Sequence, residues 1–328
     1  MSESNPLKTI DISQPINITS KELLASLTTQ GFVFIEGHDF TQNEVDKLFD
    51  ISKEFFNLPA SYKDQFPKDQ SNSGYIQFNR ENLDPSQKDD MKEGMNFCGL
   101  NLATGESSGP IPDWFKNNSE RDELIKNSII KLNQLAIQLL KILATGLGIN
   151  DDDQVKGLEW FSSRYVPNAK SGSTLRFLHY PALTSPDASP IRAGAHTDYG
   201  SMTLLFQRKN QEGLEIYSMN KKWEKVPFIS GSKSGMAPPI IVNVGDLMSY
   251  WTSGYLKSTI HRVKFTNDSK REDRYSIVFF SHPSHDTLLE PVPSDLLKDR
   301  MGRGVSKDVN YITANQHTQA KLAKTYGY

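Results

Sequence analysis

The chain has 328 residues, long enough for one large domain or two unequal ones, and no stretch reaches the roughly 18 apolar residues a membrane span needs. Its 37 basic and 39 acidic residues give a net charge of −2, so no bulk field draws it to nucleic acid or anionic lipid. A single cysteine, Cys98, excludes an intramolecular disulfide and fits a reducing compartment; with no apolar signal core at the start and no peroxisomal address at the end, the expectation is a cytoplasmic protein, with a monomer as the simplest state.

Two segments carry a hydroxyl followed three residues later by glutamate, Thr19 with Glu22 and Thr41 with Glu44. In a capping box these side chains satisfy each other's orphan amides, so a helix is predicted at each. Leu23, Leu24 and Leu27 follow the first, and Val45, Leu48, Phe49 and Phe56 the second, at helical spacing. Phe32 to Ile35, between Gly31 and Gly37, reads as a strand. Residues 60–90 are polar, include Pro67 and Pro85, and read as loop. Ser119 with Asp122 starts a long helix whose stripe from Ile125 to Leu143 faces a core, and Gly146 and Gly148 end it.

Beyond Asn150 the chain changes to short β segments separated by turn residues. Candidate strands are 159–166, 174–180, 192–198, 201–206, 213–217, 240–244, 259–265 and 274–281. Residues 230–239 form a long connection, and 311–326 a terminal helix that docks back. This predicts a leading α/β region with a long packing helix over 1–150. Residues 151–328 form a barrel or jelly roll with a C-terminal helix, so the class is mostly β with flanking helices.

The chemistry concentrates in that second part. If 194–205 is one strand, His196 and Asp198 share a face, since side chains two apart point the same way. His261 can join them from a distant stretch. Two imidazoles and one carboxylate hold a divalent iron on one face and leave the opposite positions open. Zinc suits the same ligands, and a hydrogen-bonded His–Asp pair in a barrel core is the bland alternative. Arg274 and Ser276, again two apart in an apolar run, can grip a carboxylate on something bound to the metal. The alternative for Arg274 is a surface ion pair with Glu272 or Asp273, which the apolar surroundings disfavour because a buried arginine needs an anion. Arg271, by contrast, reads as a solvated control.

The stretch Gly194 to Gln207, together with Gly213–Ile216, Trp223, Val226-Pro227, Val242–Leu247 and Trp251–Val263, resembles the isopenicillin-N-synthase-like, 2-oxoglutarate- and Fe(II)-dependent oxygenases. Arg176–Pro181, Thr9–Asp11, Gly31–His38 and Phe55–Pro59 extend that resemblance over nearly the whole chain. It implies a double-stranded β-helix core and a dioxygenase that uses Fe(II), 2-oxoglutarate and O2 to oxidise a small organic molecule, releasing succinate and CO2. By the same resemblance His196, Asp198 and His261 are the iron ligands. Arg274 and Ser276 hold the distal carboxylate of 2-oxoglutarate, with Tyr180 reaching a carboxylate nearby; a core tyrosine is the alternative. Leu178 departs from a common plant-type pattern that has asparagine there. A 2-oxoglutarate-independent oxidase of the isopenicillin N synthase type would use the same clamp for its substrate's own carboxylate. A non-catalytic ligand-binding barrel is the further alternative. Resemblance to fungal-type members points to a nucleobase such as thymine, an amino acid or a secondary metabolite, with no motif to choose among them.

Other positions are read more plainly. Leu204 and Phe206 wall the pocket or belong to the core. Asn243 and Asp246 look structural, with a turn at Gly245-Asp246, and Cys98 reads as a small apolar residue. His282 and His285 are expected in an exposed loop, and Arg176 and His179 at solvated or core positions. His38 and His317 join no constellation. Gln77, Asn79, Lys92, Glu93 and Asn96 fall in the variable region over the pocket mouth and are expected to be solvated.

Overall fold

The computed structural model describes residues 5–84, 86, 90–152, 154–183, 189–265, 272–300 and 310–326. In chain order the elements are β1 (Thr9–Asp11), α1 (Ile16–Thr29), β2 (Phe32–Glu36), α2 (Gln42–Phe56), α3 (Ala60–Lys63), β3 (Gly74–Ile76), β4 (Glu93–Phe97), α4 (Asp113–Lys116) and α5 (Ser119–Gly146). There follow β5 (Thr174–Tyr180), β6 (Ile191–His196), β7 (Met202–Phe206), β8 (Leu214–Tyr217), β9 (Trp223–Lys225) and β10 (Ile240–Val244). The chain ends through α6 (Asp246–Trp251), β11 (His261–Lys264), β12 (Arg274–Ser281) and α7 (Ala314–Tyr326).

Two sheets face each other, as in a jelly roll. The larger runs β1-β2-β10-β7-β12-β5-β4-β3 and the smaller β6-β11-β8-β9. Strands from the first hundred residues thus extend both edges of the large sheet. Side-chain alternation divides the core in two. One face of the large sheet sends Phe177, Leu204, Phe206, Val242, Ile277 and Phe279 toward the helices, where Leu132, Leu139 and Leu143 of α5 meet them. The other face sends Leu178, Tyr180, Leu205, Ile241 and Val278 inward, against Ala193, Leu214, Ile216 and Val263 of the small sheet. Leu204 and Phe206 are therefore core rather than pocket wall, and Phe206 meets Phe40 edge-on at 5.0 Å.

Several expectations are revised here. Residues 159–166 are two turns of 3₁₀ helix, Gly157–Glu159 and Ser162–Arg164, because Trp160, Phe161 and Tyr165 bury themselves at helical rather than alternating spacing. Within 60–90, α3 and β3 appear, with Tyr75 buried. Thr41 and Glu44 form the predicted capping box. Thr19 does not cap; α1 starts one turn earlier, behind Pro15, and the Thr19 hydroxyl donates back to the Ile16 carbonyl at 3.3 Å. At the start of α5 the cap is Asn118, accepting from Arg121 N at 2.9 Å. The 230–239 connection holds, while the terminal helix begins at Ala314. Arg271 lies outside the described residues. Among the described residues no helix is long and apolar enough to cross a membrane.

Removing the Thr41 hydroxyl by Thr41→Ala should lower stability by about 1 kcal/mol. Leu132→Ala, at a fully buried position of α5, should cost about 2–5 kcal/mol through the cavity it leaves. Urea denaturation checks both, and equal losses would contradict the assignment of one to a cap and the other to the core.

Candidate metal and cosubstrate site

β6 ends at His196, so Asp198 lies in the turn beyond it rather than farther along one strand as predicted. The two side chains still converge, because the turn is held from behind. Asp198 Oδ2 accepts from Asn243 Nδ2 at 2.8 Å and from Thr203 Oγ1 at 2.7 Å. Asn243 and Thr203 are cross-strand partners on β10 and β7, so both face inward at one level of the large sheet. That leaves Oδ1 pointing to the histidines, 3.9 Å from His196 Nε2 and 3.6 Å from His261 Nε2. His261 arrives opposite His196 in the β11–β6 register. Asn243, read as merely structural from the sequence, is thus the residue that aims a candidate ligand.

The histidine tautomers follow from the backbone. His196 Nδ1 lies 2.8 Å from the Gly194 carbonyl and His261 Nδ1 3.1 Å from the Thr259 carbonyl. A carbonyl only accepts, so each Nδ1 carries the proton and each Nε2 presents a lone pair. The three ligand atoms lie within 4.8 Å of one another. Burial, and then the neighbouring His261, push the His196 pKa down to about 3. Burial alone would raise the Asp198 carboxyl, but His261, His196 and the two hydrogen bonds outweigh it and hold the group below its ordinary value. Both groups are therefore in ligating form at neutral pH. Two neutral imidazoles and a carboxylate suit Fe(II).

Arg274 and Ser276 lie on the inward face of β12 and are 3 % and 2 % exposed. Arg274 Nε donates to the Gln211 carbonyl at 3.0 Å, while Nη1 and the Ser276 hydroxyl have no partner among the described residues. Asp273 instead accepts from Ala182 N and faces His179 Nε2, so the predicted alternative of an ion pair beside Arg274 does not form among the described residues. Tyr180 sits opposite Arg274 in the β12–β5 register, its ring centroid 4.9 Å from the guanidinium carbon. Two buried donors two residues apart, both unsatisfied, match the two oxygens of a carboxylate. Leu178 pairs with Ser276, so the position where an asparagine was missed offers an apolar side chain.

A cavity of about 540 Å³ opens on His196 and Asp198, walled by Arg176, Asn96, Thr174 and Phe280 and by Thr318 and Leu322 of α7. Arg176 is tied to Glu81 at 2.6 Å. His282 is 7 % exposed and borders this cavity, not an exposed loop, because Gly172 and Gly200 let the backbone close around its ring. Half-buried His285 also lines the cavity, whereas buried His38 and His317 lie elsewhere. Lys92, Glu93 and Asn96, expected in solvent, are buried: β4 pairs with β5, setting Glu93 against His179 and Asn96 against Arg176 on opposite faces, and Lys92 just before it meets Glu81 and Asp90. His179 points to the opposite face, where Glu93 Oε1 meets its Nδ1 at 2.7 Å. Cys98 lines the cavity as a buried thiol that burial pushes up to about 11.

Residues 171–283 match the family described as the 2OG-Fe(II) oxygenase superfamily, and residues 7–115 match the N-terminal family of non-haem dioxygenases in morphine synthesis. Among curated relatives, UPF0676 protein C1494.01 of Schizosaccharomyces pombe is 31 % identical, covering 97 % of this chain and 92 % of its own. The 2-oxoglutarate-Fe(II) type oxidoreductase ppzD of Metarhizium rileyi is 30 % identical, covering 94 % and 86 %. A full-length Neurospora crassa protein, solved in complex with alpha-KG, superposes with a TM-score of 0.78 at 26 % identity over 98 % of both chains. The same Neurospora crassa protein has also been solved with alpha-KG and thymine together. The chain belongs to the 2OG-Fe(II) oxygenase superfamily. It is a 2-oxoglutarate-dependent dioxygenase, and Fe(II), 2-oxoglutarate and O2 are what its chemistry requires.

Burial, with smaller contributions from His285 and His317, holds His282 down at about 4, below the roughly 6.5 of an unfolded histidine. Between those values the unfolded chain binds the extra proton, so stability is full above pH 6.5 and is lost as pH falls toward 4. In chemical denaturation of metal-free protein at pH 7.5 and 5, the wild type should lose more stability than His282→Gln. The difference should be roughly 2 kcal/mol. Equal losses would remove His282 from the account.

Proposed function

We propose that His196, Asp198 and His261 hold the iron, that Arg274, Ser276 and Tyr180 hold 2-oxoglutarate, and that the enzyme hydroxylates a small hydrogen-bonding molecule in the adjoining cavity. The observation that carries this reading is the pair of buried, unpartnered donors on β12, Arg274 Nη1 and Ser276 Oγ, in the same interior as the three convergent ligand atoms. When bound, Fe(II) with 2-oxoglutarate supplies the oxidising power, one oxygen atom going to substrate and the other to succinate as CO2 is released. The protein contributes position, charge and exclusion of water. Arg274 fixes the distal end of the cosubstrate by a charge-assisted contact and so sets which way its reactive end faces. Asn243 and Thr203 keep Asp198 from rotating. Phe32, edge-on to His261 at 5.4 Å, keeps that ligand dry.

Substrate chemistry follows from the cavity wall. Arg176, Asn96 and Thr174 offer donors and acceptors, and Phe280 offers a flat apolar face. That combination suits a small polar molecule with a planar or apolar side. The thymine complex of the Neurospora crassa protein supports a substrate of this size.

Anaerobic titration of the Fe(II)-loaded protein with 2-oxoglutarate tests the assignment through the weak visible charge-transfer band of the chelated cosubstrate. The wild type should develop the band, and Asp198→Ala should lose both iron and band. Arg274→Ala should keep iron but need at least about 30-fold more 2-oxoglutarate, since truncating one partner of a buried charge pair costs about 2–5 kcal/mol. Iron binding with a band that survives unchanged in Arg274→Ala would overturn the assignment of Arg274 to 2-oxoglutarate.

A further inference from the structure

The segment between β3 and β4 is fastened to the metal-bearing strand by a buried charge cluster. Lys92 Nζ lies 2.7 Å from Asp90 Oδ2 and 3.3 Å from Glu81 Oε2, with all three side chains at most 3 % exposed. Glu81 also receives the guanidinium of Arg176 from the cavity wall at 2.6 Å. Two cations and two anions balance, so the cluster survives burial without a net charge. Asp90 has a second task. Its other oxygen, Oδ1, accepts from the Gly194 N–H at 2.7 Å. The carbonyl of the same Gly194 is what accepts from His196 Nδ1 at 2.8 Å. The approach is close enough that a Cβ on Gly194 would lie 2.6 Å from the Asp84 Cβ, so only glycine fits under this segment.

We infer that Asp90 is a positioning residue for the iron ligand His196, acting through the backbone of Gly194, and that Lys92 and Glu81 hold Asp90 in place while tying it to the substrate-facing Arg176. The inference rests on the ligand assignment proposed above. The physical argument is one of orientation. A metal-bound imidazole needs its distal N–H fixed by an acceptor, and an acceptor can do this only as well as it is itself fixed. His261 relies on the Thr259 carbonyl, in the connection just before β11. His196 relies on the carbonyl of Gly194, a residue whose N–H is gripped by a buried carboxylate, which in turn is clamped by an ammonium. Arg176 is in the same cluster, so a polar group engaging it in the cavity bears on the frame that aims His196.

The test uses Co(II) as an iron substitute whose visible absorption reports ligand geometry, and needs no substrate. Asp90→Ala should bind Co(II) about 10–100-fold more weakly, the usual effect of losing an outer-sphere partner, with an altered absorption envelope. Asp90→Asn, which keeps an oxygen acceptor for Gly194 N–H, should bind more tightly than Asp90→Ala. Thermal denaturation of each metal-free variant separates a local effect from a general loss of fold. Should Asp90→Ala fail to fold, Asp90→Asn and Lys92→Met carry the test, the second releasing Asp90 without touching the strand. Wild-type affinity and absorption in Asp90→Ala, or in Lys92→Met where Asp90→Ala does not fold, would overturn the inference while leaving the ligand set intact. Undiminished Co(II) binding in His196→Ala would overturn the ligand assignment itself, and the inference with it.

Discussion

Everything at the centre of this molecule turns on a carboxylate with one oxygen spoken for. Asp198 sits in a turn, where a free side chain would sample several rotamers. The Asn243 amide and the Thr203 hydroxyl occupy Oδ2 and leave Oδ1 with a single direction to face. Those two donors are fixed only because β10 and β7 are paired in the large sheet. The histidines come from the small sheet, where β6 and β11 place them side by side. The site is therefore a statement about how the two sheets face each other, and the α5-backed core behind the large sheet is what keeps that relation constant. A shift of one residue in either ladder would turn donors or ligands away.

The sequence made some of this legible and not the rest, for identifiable reasons. β5, β10 and β12 were readable to the residue because long apolar runs between turn residues leave one period to choose. The side chains proposed above to hold 2-oxoglutarate, Tyr180, Arg274 and Ser276, lie on β5 and β12, so their shared face was readable with the strands. His196 and Asp198 were paired for a partly mistaken reason: a continuous strand would have aligned them, but the strand ends and hydrogen bonds do the aligning. Trp160 and Phe161 looked like strand because large aromatics are enriched in strands, and only burial at helical spacing shows otherwise. Lys92, Asp90 and Glu81 could not be placed. A polar stretch rich in charge reads as solvated unless one knows that the charges meet each other, and that meeting is a property of the fold. His282 was misplaced because the neighbouring Pro283 suggested a surface loop, whereas the glycines that bury its ring are distant in sequence.

The two faces of β5 show how one strand serves two purposes. Arg176 and Tyr180 point into the working interior, while His179 points to a second buried polar group on the helix side, where Glu93 also accepts from Lys63 at 2.8 Å and from Tyr75. Ionic groups are thus buried on both sides of the same strand. Each is compensated locally, which lets the strand pass between a cavity that must accept ligands and a core that must exclude water.

One small feature bears on how such a protein endures its own chemistry. The sole cysteine lines the cavity proposed above to hold the substrate, a poor location for a thiol if oxidation takes place there. Thiols are attacked chiefly as thiolates, and burial keeps Cys98 protonated far above neutral pH. The desolvation that shapes the cavity thereby also passivates its most oxidisable side chain, so durability over many turnovers is a by-product of dryness.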